Sequence, residues 1–217
     1  LEGGGVEPGM FITFEGPDGS GKTTQIRLLR DALAAAGYDV LLTREPGGTA
    51  IGDQIRVVLH DVENEEMTPP AEILLYSASR AQLVAQVIRP ALAAGKIVLC
   101  DRYADSTMAY QGYGRGLDLE ALRAITAFAT AGLKPDLTLL LDLNVADGLA
   151  RRQVGGDEWN RMDQQTLEFH RRTREGYLQL AAAEPERWVR VEAAGAVEEI
   201  AAAVWTIVEN ELTRTKS

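Results

Sequence analysis

Eight residues, Gly16-Pro17-Asp18-Gly19-Ser20-Gly21-Lys22-Thr23, constrain this chain more than any others. They fit G-x-x-x-x-G-K-[ST], and their setting counts as much as their letters. Met10–Glu15 (MFITFE) ahead of them is short, apolar and rich in strand formers. Thr23–Ala36 behind them repeats Ile26, Leu29 and Leu33 at helical spacing until Gly37 stops it. A strand, a glycine-rich turn and a helix in that order curl backbone N–H groups around phosphate oxygens, and the helix N-terminus adds partial positive charge. Gly16, Gly19, Ser20, Gly21 and Thr24 are expected to line a nucleoside triphosphate. Lys22 would reach its β- and γ-phosphates, and the Thr23 hydroxyl would bind Mg²⁺.

The same alternation runs to the end of the chain. Val40–Thr43, Ile97–Asp101, Leu137–Asp142 and Trp188–Glu192 read as further strands. Helical patterns cover Ile51–Leu59, Ala71–Ala94 (bent or interrupted near Pro90), a stretch from about Asp105, Leu119–Ala131, Val145–Gln153, Gln164–Ala183 and Val197–Leu212. Strands separated by helices imply a parallel sheet covered on both faces. The expected fold is a single P-loop NTPase-type α/β domain over residues 10–217. It has an open, parallel, five-stranded sheet, helices on both faces and a small lid at about 151–161. Leu1–Gly9 precedes the first strand pattern and reads as a disordered extension or tag remnant.

Composition narrows the partners. The net charge of −10 disfavours a nucleic-acid polymer, which needs a broad basic surface. No run approaches the roughly 20 apolar residues of a membrane span, and no secretory signal is visible. Cys100 is the one cysteine, so no internal disulfide forms; a reducing, cytoplasmic setting is expected, with Cys100 as a small buried core residue.

Several residues outside the phosphate loop stand where chemistry is expected. Asp101 closes the Ile97–Asp101 strand, at the edge where open α/β sheets bind ligands, and is a second candidate Mg²⁺ ligand. Adjacent Arg102 would bridge donor and acceptor phosphates. Arg44, in Thr43-Arg44-Glu45-Pro46-Gly47-Gly48-Thr49, follows a strand too and would grip an acceptor phosphate bidentately. Tyr76 and Arg80 are four apart on one helical face. They suit base stacking and edge recognition, or else a half-buried Tyr beside a surface Arg. Arg151, Arg152 and Arg161 flank a polar loop, Gln153–Asn160, of the kind that closes over ATP. Arg171-Arg172-Thr173-Arg174 reads as a charged outer helix face, and His60 and His170 stand isolated.

Together these segments resemble the thymidylate kinase family, from about Met10 to the last helix. The resemblance rests on Phe14–Thr24, on Thr43–Thr49, on Leu74-Leu75-Tyr76-Ser77-Ala78-Ser79-Arg80, on Asp101-Arg102-Tyr103 with Ser106, and on Ala109-Tyr110-Gln111-Gly112. It implies a dTMP site in which Asp18 contacts the deoxyribose 3′-hydroxyl and Arg44 and Arg102 clamp the acceptor phosphate. Tyr76 would stack on thymine, Arg80 would bind its O4 edge, and Thr107, Tyr110 and Gln111 would lie near the base and sugar. Gly19 and Ser20 carry no Arg, so the resemblance is to members whose lid brings the catalytic arginine, Arg152 in the first instance and Arg151, beside ATP, in the second. Asn160-Arg161 stands where the family usually has Asp-Arg. Family members are usually homodimers.

The implied reaction is in-line phosphoryl transfer from ATP to dTMP with Mg²⁺, carried by Lys22, Asp18, Arg102 and a lid arginine, in the biosynthesis of dTTP. The nucleophile is already an ionised phosphate oxygen, so no general base is required. Another monophosphate or a deoxynucleoside as acceptor is the competing reading; Tyr76, Arg80 and Thr107 suit a pyrimidine with an O4 carbonyl, and the two clamping arginines favour a monophosphate over an uncharged nucleoside. A GTP-dependent switch would need a guanine-reading N/T-K-x-D segment, and Lys134-Pro135-Asp136 follows Leu133 instead.

Overall fold

The computed structural model describes residues 9–154 and 160–215. Its strands are β1 (Phe11–Glu15), β2 (Val40–Arg44), β3 (Ile97–Asp101), β4 (Leu137–Asp142) and β5 (Trp188–Glu192). They form one sheet in the order β2-β3-β1-β4-β5, every pair parallel. The expected α/β class, five-stranded parallel sheet and two-sided helical cover are all present. The chain builds outward from β1 first towards β2 and β3, then towards β4 and β5. The reversal puts the loop after β1 at the crevice where such sheets take their ligands.

Side-chain alternation along the strands explains the two cores. Met10, Ile12 and Phe14 face Ile26, Leu29 and Leu33 of α1 (Lys22–Ala35), together with Ile200, Val204 and Val208 of α9 (Val197–Thr215). Phe11, Val98 and Cys100 point the other way, onto Leu83, Val84, Ile88 and Tyr103. Each large apolar side chain taken fully from water contributes about 1.5–3 kcal/mol, so both faces of the sheet resist opening.

The long helical pattern over Ala71–Ala94 is three pieces: α3 (Pro69–Leu83), a π-helical turn (Val84–Ile88) and α4 (Arg89–Ala93). The break falls just ahead of Pro90. A proline has no N–H to give the carbonyl four residues back, and its ring crowds that carbonyl, so the turn widens there. The helix expected from about Asp105 is α5 (Ala104–Thr107), and it runs on as a π-helical segment (Met108–Gly114) that carries Tyr110 and Gln111.

The remaining helices are α2 (Ala50–His60), α6 (Leu119–Thr130), α7 (Val145–Val154) and α8 (Leu167–Ala183). α8 starts later than Gln164 because Thr166 is its N-cap, the Oγ1 accepting from Phe169 N at 3.2 Å. Of the expected lid, residues 155–159 lie outside the described residues, as do 1–8 of the expected extension; Gly9 is described and donates its N–H to Leu92 O at 3.2 Å. Among the described residues no helix is long and apolar enough to cross a membrane.

Candidate active site

The phosphate loop requires its glycines. At Gly16 φ is +136°, and a Cβ there would stand 2.3 Å from Leu141 O; at Gly19 φ is +75° and the clash would be with Gly148 O at 2.0 Å. Backbone carbonyls do not yield, so side chains are excluded at both places. Gly21 begins α1 in a left-handed conformation with no side chain to cap it, and the first turn holds no acidic residue. The positive end of α1 is thereby left open towards the loop, with Thr24 exposed in its first turn. Lys22 folds back over the loop, donating to Gly16 O (3.0 Å), Pro17 O (2.8 Å) and Ser20 Oγ (3.3 Å). Burial, reinforced by the nearby Arg102, lowers its pKa to about 8.

Thr23 and Asp101, far apart in sequence, meet: Thr23 Oγ1 donates to Asp101 Oδ2 at 2.8 Å. Both are hard oxygen donors at the edge of the phosphate loop. That set fits Mg²⁺, which takes one or two protein oxygens and completes its shell with phosphate and water. Among the described residues no group of three or more His, Cys, Asp or Glu offers a protein-only cage.

Arg102 is the centre of the site. Its φ of +68° is unusual for a non-glycine residue, and its N–H is anchored to Phe14 O at 3.0 Å. From there Nη2 donates to Asp18 Oδ1 (2.6 Å) and Tyr110 OH (3.0 Å). Nη1 donates to Gly16 O (3.1 Å), Ser106 Oγ (3.3 Å) and Tyr177 OH (3.0 Å). Tyr110 OH in turn donates to Asp18 Oδ2 at 2.7 Å. Burial raises the Asp18 pKa, but Arg102 and Lys22 outweigh it and bring it down to about 2.

Behind Arg102 lies Glu15, fully buried, accepting from Tyr103 N (2.8 Å), Ser106 Oγ (2.6 Å) and Tyr177 OH (2.9 Å). Burial, with Asp105 adding to it, lifts Glu15 to about 7 against the pull of Arg102.

Tyr76 and Arg80, the pair expected at the base, stand on α3. Arg80 is not a surface residue; it is 1% exposed. It donates through Nε to Glu45 Oε2 (2.8 Å), through Nη1 to Thr107 Oγ1 (3.1 Å) and through Nη2 to Tyr103 O (3.1 Å). Tyr76, one turn earlier, is half-buried, and burial with the charge of Glu72 pushes its phenol up to about 12, so it stays protonated. Gln111 Nε2 donates to Glu72 Oε1 at 2.8 Å.

The other expected arginines lie around this cluster, Arg161 tied to it through Glu72, which also accepts from Gln111. Arg44 ends β2 in register with Asp101 and is exposed, 3.5 Å from Asp53. Arg151 Nη1 donates to Ala193 O (3.1 Å), in the loop after β5. Arg152 is bidentate with Asp163, both bonds 3.0 Å. Arg161 donates to Leu59 O at 3.1 Å and pairs with Glu72. His60, isolated in sequence, is held near pKa 4 by burial and by Arg56, Arg102, Arg161 and Arg152. Those four guanidinium groups add to burial in disfavouring a further positive charge there.

Sequence reasoning passed over Glu15, Glu45, Glu72 and Tyr177. Tyr177 carried a signal: Phe169, Thr173 and Tyr177 recur at spacing four and share the buried face of α8. That face also changes the reading of Arg171–Arg174 as wholly outward, because Thr173 is buried and Arg174 pairs with Asp142 at 2.7 Å.

Comparison with known proteins finds relatives that match almost the whole chain. The thymidylate kinase family model matches residues 14–204. A thymidylate kinase of a Roseiflexus species is 55% identical over 211 residues, 92% of this chain and 93% of the relative. That of Deinococcus radiodurans is 54% identical over 203 residues, 94% of this chain and 98% of the relative. The crystal structure of thymidylate kinase from Ehrlichia chaffeensis superposes with a TM-score of 0.76 at 33% identity, covering 93% of this chain and 99% of the other. The chain therefore belongs to the thymidylate kinase family and is an enzyme of that family.

Proposed function

We propose that the chain transfers the γ-phosphoryl group of ATP to the phosphate of dTMP with Mg²⁺, giving ADP and dTDP for dTTP synthesis in the cytoplasm. The observation that carries this reading is the Asp18–Arg102–Tyr110 triangle beside the Lys22 loop, with the buried Arg80–Thr107 pair that joins α3 to α5. An acceptor oxygen of dTMP bonds to the γ-phosphorus as the bond to the ADP oxygen breaks, and no proton need move first. Lys22 stabilises charge on the donor side, and Arg102 stabilises it where donor and acceptor meet. Thr23 and Asp101 would hold Mg²⁺, which would supply charge neutralisation during transfer.

Arg44 and Arg102, at the carboxyl ends of neighbouring strands, suit an acceptor phosphate. Asp18, ionised at every working pH, suits a sugar hydroxyl as its hydrogen-bond donor. Tyr110, bonded to Asp18, would crowd the 2′-hydroxyl of a ribose. Arg152 and Arg151 supply further positive charge from the end of α7, Arg152 at the transferring group and Arg151 beside ATP. A homodimer belongs to the same reading. Ile51 and Val57 of α2, Leu74 of α3 and Phe128 of α6 (89% exposed) lie on three neighbouring helices and leave an apolar face a second copy would cover. ADP released from Mg-ATP on addition of dTMP tests the reaction. Folded protein that releases none contradicts it.

A further inference from the structure

Arg80 is among the largest fully buried side chains of the molecule, and a buried guanidinium needs a compensating charge. Glu45 supplies it from the turn after β2, itself 5% exposed. Its Oε2 takes Nε at 2.8 Å and lies 2.7 Å from Nη2, whose other neighbour is Tyr103 O at 3.1 Å. A guanidinium presents five N–H groups in one rigid plane. Held along the Nε and Nη2 edge, that plane cannot turn. Nη1 carries two hydrogens, and among the described residues Thr107 Oγ1 is its one hydrogen-bond partner, at 3.1 Å. One N–H of Nη1 is left over, beside Thr107 and one helical turn from Tyr76.

We propose that Glu45 is a positioning residue that sets base specificity: by fixing one edge of Arg80 it presents the remaining Nη1 N–H to a pyrimidine 4-oxo group and disfavours a 4-amino group. The inference rests on the reading of dTMP as acceptor and adds how the base is told apart. A charged N–H facing a carbonyl oxygen makes a strong hydrogen bond. Facing an amino group, it leaves two donors opposed in a buried place, and discrimination of this kind is large because the site's own group goes unpaired. Glu45 acts through one oxygen: Oε1 is buried and has no hydrogen-bond partner among the described residues. Removing the charge therefore weakens the clamp, and no contact at the second oxygen makes up for it.

The test is kcat and KM for dTMP, dUMP and dCMP with Mg-ATP, in wild type and in Glu45→Gln, with thermal melting to show that both fold. The expected result is a KM for dTMP raised about tenfold, kcat within about threefold, and a dTMP-to-dCMP ratio of kcat/KM lowered about tenfold or more. A folded Glu45→Gln that keeps the wild-type ratio overturns the inference, since a purely structural carboxylate would change the amount of active enzyme and leave the ratio alone. If Glu45→Gln does not fold, Glu45→Asp decides. It keeps the charge but withdraws the oxygen by one methylene, and the same fall in ratio is expected. A wild type that does not prefer dTMP to dCMP overturns the underlying acceptor reading instead, and is told apart by being visible before any substitution is made.

Discussion

Arg102 reaches Asp18 with a 2.6 Å hydrogen bond, although 84 residues separate them, and a tyrosine hydroxyl, that of Tyr110, bridges the same two groups. The arrangement gives Arg102 a fixed position and still leaves it at the mouth of the phosphate loop. A cation held there costs no reorganisation when charge develops on the transferring group. Replacing it with lysine removes the planar fork that makes five bonds, while keeping the charge. Arg102→Lys is expected to lower kcat about 100-fold or more, on the order of 2.7–4 kcal/mol by analogy with an oxyanion-hole donor. Steady-state kinetics with both substrates varied measures it; an unchanged kcat contradicts the assignment.

Glu15 ties pH to stability. Its carboxyl is raised from an ordinary 4.5 to about 7, first by burial and then by Asp105. The folded state therefore keeps a proton that the unfolded state has already released. Stability falls as pH rises from about 4.5 to about 7 and is flat beyond, a loss of up to about 3 kcal/mol at 1.36 kcal/mol per unit. Glu15→Gln abolishes this contribution. Denaturant unfolding across pH 4–8 should show the wild-type curve dropping relative to the variant within that window. Parallel curves would mean that Glu15 is not protonated in the folded protein.

Much of the architecture was legible from local pattern. β3, β4 and β5 carry the expected bounds because each is a short run rich in strand formers closed by an acidic residue. What escaped depends on contacts across long stretches of chain. Glu15, Glu45 and Glu72 read as ordinary charged residues, since their partners Tyr177, Arg80 and Arg161 are 162, 35 and 89 residues away. The left-handed backbone of Arg102 has no composition signal at all, because glycine is the residue that announces such a conformation. Arg80 was ambiguous for the same reason: four-residue spacing says which face of α3 it shares with Tyr76, and only the packing of Glu45 says that the face is buried.

The two arginines at the end of α7 should separate kinetically. Arg152 is braced by Asp163, and Arg151 reaches the loop after β5. Arg152→Ala is expected to lower kcat on the order of 100-fold, with little change in KM for dTMP. Arg151→Ala is expected to raise KM for ATP several-fold with a smaller effect on kcat. The reverse pattern in an initial-rate study would exchange their roles.

The apolar face across α2, α3 and α6 predicts self-association. Phe128→Glu or Leu74→Glu places a charge where a second copy is expected to press, and sedimentation should report the mass of one chain in place of two. A wild type that sediments as a monomer at micromolar concentration would contradict the dimer.

The most direct test of the account is ADP release from Mg-ATP against dTMP, dUMP, dCMP, dGMP, AMP and thymidine. The account predicts strong turnover of dTMP, weaker turnover of dUMP and negligible turnover of the others, with the dTMP signal falling when Tyr76 or Arg80 is replaced. A preference for another monophosphate, or for uncharged thymidine, would contradict the base pocket of Tyr76, Arg80 and Thr107 and the clamping role of Arg44 and Arg102.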